Sequence, residues 1–181
     1  MYEVELKVRA DHDAVRERLE ATDATPLGTV QQEDTYYDAP DRDFAETDEA
    51  LRIRTERADE EVETRLTYKG PLVEQASKTR EEAETAVADE DALAEILAGL
   101  GYDPAASVSK ERTRYRLDGY TITLDSVDGL GDFVEVERDV EDDIDAAREG
   151  AREVMDKLGL DADEQIRTSY LGLLLDADAS E

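Results

Sequence analysis

Glu3, Glu5 and Lys7 alternate along YEVELKVR with Val4, Leu6 and Val8. A strand over residues 2 to 9 therefore carries two carboxylates and an ammonium on one face and aliphatic side chains on the other. Same-face neighbours lie ~6.6 Å apart, so Glu3 and Glu5 can lean onto one metal ion while Lys7 reaches past them. Taken alone, the strand is more simply one with a wetted outer face. Recurrence changes that reading. Leu51 and Ile53 alternate with Arg52 and Arg54; Glu63, Arg65, Thr67 and Lys69 share a face before the Gly70-Pro71 break; Arg80, Glu82 and Glu84 share another. VSKERTRYRL puts Lys110, Arg112, Arg114 and Arg116 on one side, where four cations repel unless an anion lies among them. YTITLDSV opposes Thr121, Thr123 and Asp125 to Ile122 and Leu124, and DFVEVER opposes Phe133, Glu135 and Glu137 to Val134 and Val136.

These faces stand out against the rest of the composition. The 181 residues include 50 acidic and 21 basic side chains, for a formal charge of −29. Such acidity resembles adaptation to high salt, where a Debye length of ~3 Å at 1 M makes a charged surface inexpensive. It speaks of habitat, and it argues against non-specific binding of nucleic acid or anionic membranes. With no cysteine, thiolate metal sites and disulfides are excluded. His12, the only histidine, stands at a helix start in DHDAV and is expected to cap or face solvent. No apolar run approaches a membrane span and no signal-peptide pattern opens the chain, so a cytoplasmic protein is expected.

The length suits one domain. DHDAVRERLEAT predicts a helix with Asp11 or Asp13 near its N-cap and Ala14, Val15 and Leu19 buried. VQQEDTYYD predicts a short strand over 30 to 38, and APDRDFAETDEA a loop. DEDALAEILAGLG predicts a helix capped by Asp89 or Asp91, with Leu93, Ile96, Leu97 and Leu100 inward. After the turn at Asp118-Gly119 and the strands around it come two helices, DIDAAREGAREVMDKLGL and EQIRTSYLGLLL, and a tail, DADASE, expected to be disordered.

About eight strands and four helices with hairpin-like connections give an α+β fold with an antiparallel sheet. Its charged faces either meet water or line the lumen of a closed eight-stranded β-barrel with helices packed outside. The sign of the charges favours the barrel. A plain surface of this chain should be thick with acids, yet these faces concentrate cations. A lumen of mixed charge needs a bound polyanion and its metals, because unpaired buried ions cost several kcal/mol each.

E-x-E-x-K at Glu3, Glu5 and Lys7, followed in order by DTYYD, LRIR, LTYKG, TREEAE, KERTRY, LDSVDGLGDFVEVE and RTSYLGLL, resembles the CYTH superfamily of triphosphate tunnel metalloenzymes. The similarity runs over nearly all of residues 1 to 175, a single domain, with 176 to 181 as the tail, and is greatest to class IV adenylate cyclases of the CyaB type. It implies that Glu3, Glu5, Glu135 and Glu137 hold Mg²⁺ or Mn²⁺, hard cations suited to oxygen ligands. It further implies that Lys7, Arg52, Arg54, Lys69, Lys110 and Arg112 grip a triphosphate, with Glu5, Asp125 and Lys7 catalytic. Arg80, Glu82 and Arg114 are further candidates, with Arg65 and Glu84 beside them.

The activity so implied is a lyase reaction, ATP to cAMP and pyrophosphate. Two alternatives stand beside it: a triphosphatase acting on inorganic, nucleoside or thiamine triphosphate, and a non-catalytic polyphosphate-binding module. The residues do not distinguish the first two, and no segment identifiably reads adenine. A homodimer is implied only by resemblance to related cyclases.

Overall fold

The two-residue alternation is realised in eight strands: β1 (Tyr2–Arg9), β2 (Thr25–Asp38), β3 (Ala50–Ala58), β4 (Glu61–Leu72), β5 (Lys78–Val87), β6 (Asp103–Leu117), β7 (Tyr120–Val127) and β8 (Gly131–Val140). They close into an antiparallel barrel in the order β1-β5-β4-β3-β2-β6-β7-β8. The computed structural model describes residues 1–74 and 76–179. Closure depends on β1, which pairs with β5 on one edge and β8 on the other. Among the described residues there are five α-helices: α1 (His12–Glu20), α2 (Phe44–Thr47), α3 (Glu90–Gly99), α4 (Ile144–Lys157) and α5 (Tyr170–Ala179).

The aliphatic strand faces point outward, under the helices. Leu6, Val8, Ile122, Leu124, Val134 and Val136 pack against Val15 and Leu19 of α1 and Ala151, Val154 and Met155 of α4. Each such side chain taken from water contributes ~1.5–3 kcal/mol before chain entropy is set against it. A second cluster seats Tyr37 and Ile53 against Leu97 of α3. Gly150 of α4 allows a close approach: a Cβ there would collide with the Tyr120 hydroxyl, which donates to Ala147 O at 2.8 Å. At the β6–β7 hairpin Asp118 and Gly119 both take positive φ, 53° and 81°, as a two-residue turn of matching twist requires.

Several local expectations are corrected. His12 is buried, its Nε2 2.9 Å from Phe133 O, because α1 lies over the β8 edge; Asp11 is the cap. Ala14 is exposed. β2 and β6 are longer than the alternation suggested, pairing from Thr25↔Arg116 to Asp38↔Asp103. The loop after β2 contains α2. On α3, Ile96 and Leu100 face solvent at 58% and 64% exposure, since the barrel wall meets only the stripe through Leu93 and Leu97. The last helix begins at Tyr170, leaving 165–169 as a non-helical strap, and it continues through 176–179 where a disordered tail was expected. Residues 180 and 181 lie outside the described residues.

Candidate active site

The strands' polar faces enclose a cavity of about 780 Å³, and the register decides which charges meet in it. Across β1 and β8, Glu5 stands opposite Glu137 and Lys7 opposite Glu135. Glu3, Glu5 and Glu137 bring one carboxylate oxygen each to within 4.8 Å of one another. Burial, then the charges of Glu3 and Glu135, push the Glu137 carboxyl well above its ordinary range. Three converging hard oxygens crowded by their own charge fit a divalent cation, which would remove that repulsion. Two ammonium groups flank them. Lys69 Nζ lies 2.8 Å from Glu3 and 3.3 Å from Glu82, and Lys78 Nζ 3.2 Å from Glu5. Burial would raise Glu3, but Lys69 holds it below the usual carboxylate range. Glu82, half-buried beside Glu3, is raised to about 7 by its partial burial and then by the Glu3 charge.

Facing these acids across the lumen are Arg52 and Arg54 on β3 and Lys110 and Arg112 on β6, all buried. They are arranged around two carboxylates. Asp34, fully buried, accepts both prongs of Arg54 at 2.7 Å and the Lys110 ammonium at 3.0 Å, with Arg52 at 4.0 Å. Asp125 accepts both prongs of Arg112 at 2.7 Å, and Arg112 reaches Glu135 at 3.1 Å. Burial would raise Glu135, but Arg112 and Lys7 bring it down to about 2. Lys110 is driven down to about 7 by burial and then by Arg54. The Arg52 Nε is buried with no hydrogen-bond partner among the described residues.

The strap and α5 cross the end of the barrel at which β1 finishes. Ile166 N donates to Lys7 O, and Lys7 Nζ donates to Thr168 O, both at 2.7 Å. The Tyr170 hydroxyl donates to Asp125 at 2.7 Å, while its ring lies under Lys7 at 4.3 Å and edge-on to Phe133 at 5.0 Å. Burial, then Lys78, lower Lys7 to about 8.

A model of the CYTH domain matches residues 1–170. The chain belongs to the CYTH family. As a CYTH protein it is an enzyme acting on triphosphates, and the family implies a divalent metal. It is 39% identical over 96% of its length to a Methanocaldococcus jannaschii protein named as an adenylate cyclase, covering 98% of that protein. It is 28% identical to adenylate cyclase CyaB of Aeromonas hydrophila, over 93% of this chain and 86% of the other. The solved structure of a Pyrococcus horikoshii protein superposes with a TM-score of 0.90 at 42% identity, covering 97% and 99% of the two chains.

In this CYTH tunnel, Glu3, Glu5, Glu135, Glu137, Arg52, Arg54, Lys69, Lys110 and Arg112 line the cavity, whereas Lys7 and Asp125 lie buried outside its lining, Lys7 on the Thr168 carbonyl and Asp125 between Arg112 and Tyr170. The tight acidic trio excludes Glu135, which Arg112 engages instead. Arg80 binds Asp48 and the Gly70 carbonyl, Glu82 borders Lys69, and Arg114 pairs with Glu56. Arg65, with Glu63 and Glu84, is 42% exposed. Sequence reasoning missed Asp34, Lys78 and Tyr170. A signal existed for Asp34: it shares its strand face with Gln32 and Tyr36 and pairs in register with Arg54.

Proposed function

We propose that the tunnel converts ATP to cAMP and pyrophosphate in the manner of a class IV adenylate cyclase, with Mg²⁺ or Mn²⁺ held by Glu3, Glu5 and Glu137. One observation carries the reading: an acidic trio and a wall of four buried cations confront each other in one cavity inside the closed barrel. The names of the two curated relatives support the cyclase form. A divalent ion bound there would neutralise phosphate charge and lower the pKa of the attacking oxygen. Arg52, Arg54, Lys110 and Arg112 bind and orient the phosphate oxygens, the guanidinium forks matching their geometry. Asp34 and Asp125 keep those cations in place before substrate arrives. Positioning and charge neutralisation make up most of phosphoryl-transfer catalysis, so no further nucleophile is needed.

A second reading, triphosphate hydrolysis, rests on the position of the trio: Glu3, Glu5 and Glu137 face the same cations whichever phosphorus is attacked. Incubation with ATP and either metal at high salt separates the two. cAMP with pyrophosphate supports the cyclase, and phosphate release supports the hydrolase. No turnover of ATP, inorganic triphosphate or thiamine triphosphate with either metal would overturn both. The reading is of a cytoplasmic protein forming one domain over residues 1 to 175, its partner a small triphosphate.

A further inference from the structure

The helices leave one flank of the barrel uncovered. α1 and α4 lie over β1, β7 and β8, and Leu93 and Leu97 of α3 lie over Tyr37, Leu51 and Ile53 of β2 and β3. On β4 the outward side chains include Val62, Leu66 and Tyr68, and on its partner β5 Ala83, Thr85 and Val87, with Leu66 opposite Thr85 and Tyr68 opposite Ala83. Val62 is 61% exposed and Tyr68 36%; Ala83 and Thr85 are exposed beside them. These positions carry no charge until Glu81, where β5 meets Tyr2 of β1. α3 borders the same face, since Leu66 joins the cluster beneath it, and adds Ile96 and Leu100, for which this chain offers no surface opposite. The other helices present a different exterior: Glu17 and Glu20 on α1, and Glu149, Glu153 and Asp156 on α4, are all exposed. In a chain of formal charge −29, an exposed sheet face without acids is the exception.

The missing charge selects the occupant. A cationic partner would be held by the acid-coated sides of the molecule and would gain nothing from a neutral one. A second copy of this chain is repelled wherever acids meet acids and can approach only where they are absent. Two neutral sheet faces related by a two-fold axis meet that condition, each patch being the complement of itself. We infer that the outer face of β4 and β5, with the exposed stripe of α3, is the interface of a homodimer whose barrels lie side by side. Arg65 and Glu84, on the opposite faces of the same two strands, line the cavity, so the contact is made on the barrel wall and leaves the site open.

The test is sedimentation velocity of the wild-type protein, Thr85→Glu and Ile96→Glu, each over a concentration series at low and at molar salt. The wild type is expected to sediment as a species of about twice the 20.2 kDa of one chain, and to associate more tightly at molar salt, where the acids around the face are screened. Each substitution enters a two-fold interface twice and sets like charges in an apolar contact, so it should raise the dissociation constant about a hundredfold. Both replaced side chains are exposed, so the variants keep the fold, which an unchanged circular dichroism spectrum checks; if one spectrum changes, the other variant decides. A wild-type protein that stays monomeric at both salts overturns the inference. So does a dimer indifferent to both substitutions, or one that loosens as salt is added, since that would mark pairs of opposite charge in place of a neutral contact.

Discussion

Replacing Asp34 by asparagine keeps the side chain's volume and removes its charge from the centre of three cations. In the native tunnel it takes both prongs of Arg54 at 2.7 Å and Lys110 at 3.0 Å, with no exposure to water. Breaking a buried ion pair from one side costs about 3–5 kcal/mol, because the partner remains buried and unmatched. For a chain of this size each kcal/mol moves the melting midpoint by roughly 2–4 °C, so the ligand-free variant should melt about 6–20 °C below wild type. Salt offers little rescue, since screening acts on exposed charges. Inorganic triphosphate supplies the missing anion, so it should raise the variant's midpoint by more than it raises the wild type's. Differential scanning fluorimetry with and without the ligand measures both. A drop smaller than about 2 °C, or equal ligand increments, would refute the assignment of Asp34 as the anion that holds the cation wall ready.

Glu137→Gln removes one member of the acidic trio; activity with either metal should fall roughly 10²- to 10³-fold while the metal-free melting midpoint stays level or rises, since a crowded carboxylate has gone. A fall in the metal-free midpoint would count against that crowding. Lys110 has a folded pKa of about 7 against an ordinary 10.5, so between those values the unfolded chain holds more protons and this group's contribution to stability grows with pH. A bound triphosphate restores the ammonium, so binding near pH 8 should take up a proton, seen as a dependence of calorimetric enthalpy on buffer, and Lys110→Arg should reduce that uptake. Tyr170→Phe deletes a hydrogen bond to a carboxylate and should cost about 1.5–3 kcal/mol in thermal denaturation, with kcat reduced more than KM is raised. An unchanged kcat would mean that the phenol only packs.

The face of each strand was readable because a period of two leaves no ambiguity once apolar and ionic residues alternate strictly, as from Glu3 to Lys7 and from Ile122 to Asp125. Closure of the sheet was readable from the sign of the charges, since Arg52, Arg54, Lys110 and Arg112 are out of place on the surface of so acidic a protein. What stayed hidden depended on contacts between distant segments. Asp34 looks like any of 50 acidic residues until β2 is laid against β3 and β6. Tyr170 sits at helical spacing with Leu173 and Leu174, and only the strap's path across the barrel end turns it inward. His12 is buried because α1 covers β8, far along the chain. The stripe through Ile96 and Leu100 has helical periodicity without a surface opposite it, and periodicity alone cannot report that.

Because β1 is the seam that joins β5 to β8, its residues must wait for partners translated some 130 residues later. During that interval Glu3, Glu5 and Lys7 have no enclosure, and the nascent polypeptide has no pore in which to lodge a triphosphate. Contacts of such long sequence separation slow folding. Competence should therefore arrive late and all at once, with the final hairpin.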